Sequence, residues 1–145
     1  MKVHEATEIA TLLNTRNALT RQYDAHRVLE HAKQYRVKQQ DGRVVACAQL
    51  RVVQWYQWEV LHLSVHEDYA RRGLGAALLE DAKHEALREG TKLLQCTIRA
   101  GNHDSERLFG RAGFRRVGGF HNERSGNDIG VWQYIVMPWH RQEII

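Results

Sequence analysis

The chain has 145 residues, of which 43% are hydrophobic and 26% are charged, and its formal net charge is +4. This length and composition predict a single soluble globular domain over residues 1–145, large enough to bury a core. No segment approaches the roughly 18 apolar residues that a membrane helix needs, and no N-terminal run is typical of a signal peptide. We therefore expect a cytoplasmic protein without a membrane partner.

The spacing of charged residues, cysteines and histidines argues against several other classes of protein. No run of Lys and Arg exceeds two residues, which argues against a nucleic-acid-binding tail. Cys47 and Cys96 lie in apolar, strand-like segments without CxxC spacing, so we expect reduced, buried thiols. The nine histidines show no spacing typical of metal ligands, and we expect no metal.

The N-terminal half is predicted to contain a strand, two helices and then three strands. Asp24 is expected to cap the second helix, and the pair Asp41-Gly42 predicts a hairpin turn between the next two strands. The predicted segments are KVHEA (2–6), EIATLLNTRNAL (8–19), DAHRVLEHAKQY (24–35), YRVKQQ (35–40), RVVACAQLRVV (43–53) and WEVLHLSV (58–65).

The C-terminal half alternates helices and strands. A helix is predicted from Leu74 to near Gly90, where the glycine suits a helix end. The segments that follow are KLLQCTI (92–98) as a strand, HDSERLFGRAG (103–113) as a helix, and FRRVGGF (114–120) and VWQYIVM (131–137) as strands. The order β-α-α-β-β-β-α-β-α-β-β predicts a mixed α/β sheet of the α+β class with one parallel crossover, from the fourth strand to the fifth.

A glycine turn precedes the helix of that crossover. Amide groups in the first turn of a helix lack intrahelical acceptors and carry the positive end of the helix dipole, so they attract phosphate oxygens. Gly73 and Gly75 would allow close approach of an anion, and Arg71 and Arg72 add positive charge beside it. A glycine-containing turn with solvated arginines is the alternative.

The combination of this turn with its neighbours resembles the GNAT superfamily of acyl-CoA N-acyltransferases. The matching features are a strand ending LHLSV, the loop RRGLGAALL, and the pattern N-x-x-S-x-x-L-F-x-x-x-G-F from Asn102 to Phe114. The resemblance covers about 45–137, and the loop matches the family's Q/R-x-x-G-x-G/A motif except that Ala70 occupies the Gln/Arg position. It implies a GNAT-like fold, with a mostly antiparallel central sheet and splayed parallel strands 4 and 5.

The resemblance also implies acetyl-CoA as cosubstrate, with the pantetheine arm along the fourth strand and the pyrophosphate at the glycine turn. Phe109 would then pack against the pantetheine or acetyl end. The implied cofactor-binding residues are Leu63, Ser64, Val65, Arg71, Arg72, Gly73, Leu74, Gly75, Ala76, Asn102, Ser105 and Phe109. Asn102 has a helix cap as its alternative role.

Glu59 is the candidate catalytic base, because it stands where the histone-acetylating members of the family carry a catalytic glutamate. Among apolar neighbours its carboxylate would be partly desolvated, which raises a carboxyl pKa towards that of a useful base. Phe109 stands where many members have a tyrosine as general acid, and phenylalanine cannot donate a proton. Tyr134, Tyr69, Ser105 or water would take this role, and Tyr134 is our second catalytic candidate.

These observations predict an acetyl-CoA-dependent N-acetyltransferase that acts by direct attack of a primary amine. The acceptor is a small molecule or a peptide that the sequence does not name. A catalytically degenerate acyl-CoA-binding module stays open because of Phe109, and a basic nucleic-acid-binding domain is the least favoured alternative. An exposed last strand carrying Trp132 and Trp139 would favour a homodimer.

Overall fold

The structure is a computed structural model that describes residues 1–137. Trp139, which we had assigned to a dimer interface, lies outside these residues. The helices are α1 (Val3–Arg16), α2 (Ala25–Glu30), α3 (Leu74–Arg88) and α4 (His103–Arg111). The strands are β1 (Tyr35–Gln40), β2 (Arg43–Gln54), β3 (Gln57–Val65), β4 (Leu93–Arg99), β5 (Arg115–Asn122) and β6 (Asn127–Ile135).

The strands form one mixed sheet in the order β1-β2-β3-β4-β6-β5. β1 pairs antiparallel with β2, and β6 pairs antiparallel with both β4 and β5. β3 and β4 are parallel and pair from Gln57↔Leu93 to Glu59↔Gln95. These two are the predicted fourth and fifth strands, so the mixed fold with its parallel crossover is confirmed.

The predicted first strand is wrong, because KVHEA belongs to α1, which begins at Val3. The buried residues Ala6, Ile9, Ala10 and Leu13 recur at helical spacing and form one apolar stripe, which continues the helix back through the segment we had assigned to a strand. A segment of five residues is too short to distinguish the two-residue periodicity of a strand from the 3.6-residue periodicity of a helix. The observed order is therefore α-α-β-β-β-α-β-α-β-β.

The prediction that the last strand is exposed at an edge is also wrong. β6 lies between β4 and β5, and β5 is the strand at that edge of the sheet. β5 and β6 form a hairpin whose far end pairs Asn122 with Asn127. Chain order alone suggested that the final strand would be outermost, but the hairpin folds back so that β6 reaches β4.

The chain divides into two compact units. The first comprises Met1–Arg51 and Val60–Leu78. Asn14 links α1 to the segment before α2, because its side chain donates to the Tyr23 carbonyl and accepts from the Tyr23 N–H, both at 2.8 Å. Asp24 caps α2 as predicted, accepting from the Arg27 N–H at 2.8 Å. The core of this unit is formed by Ala6, Ile9, Ala10, Leu12, Leu13, Val28, Tyr35, Val44 and Cys47.

The second unit comprises Val52–Glu59 and Leu79–Ile145. Leu79, Leu94 and Cys96 are almost completely buried. In the described part of the chain, no helix is long and apolar enough to cross a membrane.

Candidate active site

The glycine turn connects β3 to α3 in the first unit. Two of its residues have left-handed backbone, Arg71 with φ +63° and Gly73 with φ +77°. Glycine adopts this conformation without an energetic penalty, whereas for arginine it is strained. α3 begins at Leu74, as predicted, and Ala77 donates to the Gly73 carbonyl at 2.9 Å. The backbone N–H groups that precede Ala77 in the first turn of α3 have no acceptor within the helix, so they can bind an anionic oxygen.

The arginines of the turn are exposed, and one of them is anchored by an aromatic ring. The guanidinium carbon of Arg72 lies 4.9 Å from the centre of the Tyr69 ring, and that of Arg43 lies 5.7 Å from it. The Tyr69 hydroxyl donates to Asp41 Oδ2 at 3.2 Å. These contacts hold Tyr69 at the turn, where it supports the cationic side chains.

β3 departs from a regular strand just before the predicted cofactor segment, which we had not foreseen. His62 has φ +50°, a conformation that costs a non-glycine residue energy and requires support from its surroundings. The support is a short chain of hydrogen bonds: Asn17 Nδ2 donates to Ser64 Oγ at 2.9 Å, and Ser64 Oγ donates to the His62 carbonyl at 2.9 Å. This irregularity interrupts the regular strand geometry directly before Leu63 and Val65, which are expected to bind the cofactor.

Glu59 is buried, with 8% of its surface exposed, as its apolar neighbours predicted. The pairings Glu59↔Gln95 and Gln95↔Gln133 place three polar side chains next to one another on one face of the sheet. Gln95 Nε2 donates to Glu59 Oε2 at 3.4 Å, and Gln133 Nε2 donates to Gln95 Oε1 at 2.8 Å. Because its oxygen accepts from Gln133, the amide of Gln95 must turn its N–H groups towards the carboxylate.

This arrangement suits a general base. A carboxylate that is largely removed from water needs a donor to stay in place, and the two glutamines supply one in a fixed orientation. The second unit therefore contains a positioned, buried carboxylate on the strand that leads into the glycine turn.

Tyr134 does not share a face with Glu59. It pairs with Leu94 rather than Gln95, and neighbouring residues of a strand point to opposite faces. Its ring lies 4.5 Å from Lys83 Nζ and 5.6 Å from the Phe114 ring. The structure thus brings Tyr134 together with α3 and Phe114, and its role as general acid stays a prediction.

The predicted cofactor residues of α4 also lie in the second unit. Asn102 is the N-cap of α4, and its side chain accepts from the Ser105 N–H at 3.3 Å. Ser105 is partly buried. Phe109 is buried at 6% exposure and meets Phe114 edge-on, with ring centres 5.0 Å apart. Asn102 therefore has a capping role whether or not it also contacts a cofactor.

The two cysteines are buried thiols. Burial raises the pKa of Cys47 to about 12, and burial together with the negative charge of Glu59 raises the pKa of Cys96 above its usual range. A thiol is a nucleophile only as its thiolate, so neither cysteine is suited to carry an acyl group near neutral pH.

Sequence reasoning missed Gln95, Gln133 and Asn17. For the two glutamines a signal was present, since each interrupts an otherwise apolar strand segment, LLQCTI and VWQYIVM. A polar residue at such a position needs a partner. For Asn17, which supports the backbone of β3 from 47 residues away in the chain, no local pattern could have shown the contact.

The sequence matches the family model of the acetyltransferase (GNAT) family over residues 4–114. The chain belongs to the GNAT family of acetyltransferases. The resemblance found in the sequence motifs is thus confirmed, and the family match includes β3, the glycine turn, α3, β4 and α4.

Solved structures with the same fold include three of bacterial proteins. The ribosomal-protein-S18-alanine N-acetyltransferase from Escherichia coli is 19% identical, with 100% of this chain and 96% of that chain covered and a TM-score of 0.78. A putative acetyltransferase from Salmonella typhimurium, solved with its cofactor acetyl-CoA, is 18% identical over 100% and 96%, with a TM-score of 0.84. A GNAT acetyltransferase from Elizabethkingia anophelis with acetyl-CoA bound is 15% identical over 86% and 88%, with a TM-score of 0.73. Among curated proteins there is no significant match.

Proposed function

We propose that this GNAT protein is an acetyl-CoA-dependent N-acetyltransferase in which Glu59 accepts a proton from the attacking primary amine. The observation that carries the proposal is the buried Glu59 carboxylate, hydrogen-bonded to Gln95 at 3.4 Å on the strand that enters the glycine turn. The acetyl-CoA present in two of the structural neighbours supports the choice of cosubstrate.

The glycine turn fits the pyrophosphate of this cosubstrate. A side chain built on Gly73 would meet no atom within 4 Å, so the space over the turn is open. The backbone amides from Arg71 to Ala76 would hold the phosphates, and the exposed guanidinium of Arg72 would add charge. Bound acetyl-CoA supplies a thioester whose carbonyl carbon is open to attack.

The backbone of Leu63, Ser64 and Val65 would bind the pantetheine arm, and one of these amides would polarise the thioester carbonyl. The side chains of Asn102, Ser105 and Phe109 are proposed cofactor contacts on α4. The acceptor, a small molecule or a peptide, and a cytoplasmic location stay predictions, as does a homodimer.

The reaction would proceed by direct attack. The amine nitrogen forms a bond to the acetyl carbon, the carbon–sulfur bond breaks, and the amine proton passes to the Glu59 carboxylate. The proton for the departing sulfur would come from water, Ser105, Tyr69 or Tyr134. Tyr69 is engaged with Asp41 and Tyr134 faces away from Glu59, which favours water or Ser105.

An acyl-CoA-binding module without turnover is the second candidate. The observation that favours it is Phe109, which is buried against Phe114 and has no hydroxyl to donate. The two candidates share the cofactor but differ in whether Glu59 matters.

Exchange of Glu59 for glutamine distinguishes the N-acetyltransferase from the binding module. We expect Glu59→Gln to lower kcat by about 100-fold or more, because a positioned base contributes about that factor. The rise in Tm on adding acetyl-CoA should persist, since binding to the native state stabilises it by mass action. Glu89→Gln, an exposed position after α3, is the matched control and should keep full activity.

Three results would contradict the proposal. Full thiol release by Glu59→Gln would remove Glu59 as the base, and a wild-type protein without turnover on any amine, but stabilised by acetyl-CoA, would favour the binding module. The thermal shift is measured with acetyl-CoA, with free CoA and, for comparison, with ATP. If neither acetyl-CoA nor free CoA raises Tm, acetyl-CoA is not the cosubstrate.

A further inference from the structure

Two side chains with no part in the proposed chemistry hold the left-handed residue of β3 in place. His62 has φ +50°, and a non-glycine residue keeps such a conformation only where its surroundings support it. Ser64 Oγ donates to the His62 carbonyl at 2.9 Å, and Asn17 Nδ2 donates to Ser64 Oγ at 2.9 Å. All three residues belong to the first unit. The two bonds fix the direction of the His62 carbonyl.

The hydrogens in this pair of bonds have only one arrangement. A serine hydroxyl has one hydrogen, and because Ser64 donates it to the His62 carbonyl, its oxygen is left to accept from Asn17. The side-chain amide of Asn17 has two hydrogens, and it donates to both Ser64 Oγ and the Leu13 carbonyl of α1, at 2.9 Å each. Ser64 is only 3% exposed, so water has little access to these bonds. The end of α1 thus anchors the backbone of β3.

The direction of the His62 carbonyl also sets the direction of the next N–H group. The His62 carbonyl and the Leu63 N–H belong to one peptide group, and the described part of the chain contains no cis peptide bond. In a planar trans peptide group the carbonyl and the N–H point in opposite directions. The hydroxyl that holds the carbonyl therefore turns the Leu63 N–H the other way.

The Leu63 N–H points to the edge of β3 that faces away from β2. His66, directly after β3, donates its N–H to the Val45 carbonyl of β2 at 2.7 Å. Successive N–H groups of a strand point to alternate edges, so the N–H of Leu63 lies on the opposite edge from that of His66. Among the described residues, β3 pairs with β4 only up to Glu59. The Leu63 N–H is therefore directed towards a part of the strand edge where an external acceptor can bind.

We propose that Asn17 and Ser64 are positioning residues for the thioester carbonyl of acetyl-CoA. They fix the peptide group between His62 and Leu63, so that the Leu63 N–H donates to the carbonyl oxygen. This rests on the proposed N-acetyltransferase function, in which an amide of this segment polarises that carbonyl, and it names the side chains that hold the amide. A donor fixed in advance stabilises the charge that develops on the oxygen without reorganising during the reaction.

The test follows the acetyl carbonyl of bound acetyl-CoA, labelled with ¹³C at that carbon, by NMR. A hydrogen bond to the oxygen withdraws electron density from the carbon, so the wild-type protein should move the ¹³C signal downfield from its position in free acetyl-CoA. Ser64→Ala should return the signal most of the way. The Kd for acetyl-CoA should rise by about tenfold at most, as for loss of one neutral hydrogen bond, and the Kd for free CoA, which lacks this carbonyl, should not change.

Asn17→Asp tests the other end of the two bonds. A carboxylate cannot donate, so the Ser64 hydroxyl would donate to the new carboxylate and leave the His62 carbonyl. We expect the same return of the ¹³C signal from a side chain of nearly the same size, which keeps the test valid if Ser64→Ala does not fold. Thr15→Ala removes an exposed hydroxyl of α1 that donates to the Thr11 carbonyl at 2.7 Å. As the matched control, it should leave the ¹³C signal unchanged.

Turnover gives a second readout. With any amine that the wild-type protein acetylates, Ser64→Ala and Asn17→Asp should lower kcat by about tenfold or more, because a misplaced donor to the developing oxyanion has at least that effect. The KM for acetyl-CoA should change much less. Thr15→Ala should keep the wild-type kcat.

The outcomes are separable from those for the proposed function. If neither form of CoA raises Tm, the cosubstrate is wrong and this proposal fails with the proposed function. If acetyl-CoA binds to the wild-type protein but its ¹³C signal does not move, only the positioning proposal is overturned. A signal that stays displaced in both Ser64→Ala and Asn17→Asp would also overturn it. An equal loss of affinity for acetyl-CoA and free CoA in these variants would show that the two side chains support only the fold.

Discussion

Replacing Gln95 with glutamate tests the carboxylate–amide contact without assuming any activity. In the wild-type protein Gln95 Nε2 lies 3.4 Å from Glu59 Oε2. Gln95→Glu puts a second carboxylate at that position, next to a buried one. Like charges at this distance disfavour double ionisation, so one carboxyl of the pair should keep its proton well above the usual pH.

The distance sets the size of the effect. At an effective dielectric constant of about 20, two unit charges at this separation repel by about 5 kcal/mol, which corresponds to a rise of about 3.6 pKa units. Gln95 is partly exposed, which makes this the upper end of the range. Since an unfolded glutamate has a pKa of about 4.3, the second proton would leave the folded pair between about pH 6 and pH 8.

The sign for stability follows from linkage. A carboxyl whose pKa is higher in the folded than in the unfolded state does not lower the free energy of unfolding at pH values below its unfolded pKa. Stability is then lost as pH rises towards the folded value, by about 1.4 kcal/mol per pH unit. Gln95→Glu should thus unfold in urea like the uncharged control near pH 4.5, and several kcal/mol more easily near pH 8.

Gln95→Met is the control for losing the hydrogen bond without adding charge. Because it removes a donor to the Glu59 carboxylate, its loss of stability relative to wild type should also grow with pH, but by less than that of Gln95→Glu. The measurement is the free energy of unfolding in urea for all three proteins at pH 4.5, 6 and 8. A Gln95→Glu difference that is equal at the three pH values would refute the placement of Gln95 beside Glu59.

Two further predictions concern packing and thiol chemistry. Gly113 has φ +93°, and a Cβ added there would lie 3.3 Å from the Tyr134 ring, so Gly113→Ala should lower the free energy of unfolding by about 1–3 kcal/mol. Gly90→Ala shares the positive φ but meets no atom within 4 Å, so urea unfolding should show a smaller loss, and equal losses would contradict the role of Tyr134. Cys47 and Cys96 should resist a thiol reagent at pH 8 in the native protein and react once it is unfolded, because burial raises both thiol pKa values and blocks access. Rapid labelling of the native protein, measured by intact mass, would contradict their burial.

The sequence by itself determined the features that depend on neighbours in the chain. The glycine turn and the start of α3 at Leu74 follow from residues within a few positions, as does the cap at Asp24. The burial of Glu59 also followed from its apolar neighbours. The family motifs belong to this class, because they record spacing along the chain.

Only the tertiary structure decided which strands are neighbours and what their side chains meet. Glu59 reaches Gln95 across 36 residues, and Gln95 reaches Gln133 across 38, so their alignment depends on strand order and register, which no local pattern encodes. The left-handed backbone of His62 is likewise supported from Asn17, in a distant part of the chain.

The N-terminal segment and the last strand show the same limit. Whether KVHEA becomes a helix depends on the stripe that it continues on α1, and whether β6 is an edge depends on how its hairpin folds back. In each case the free energy comes from packing against residues distant in sequence, and this contribution overrides the weak local preference.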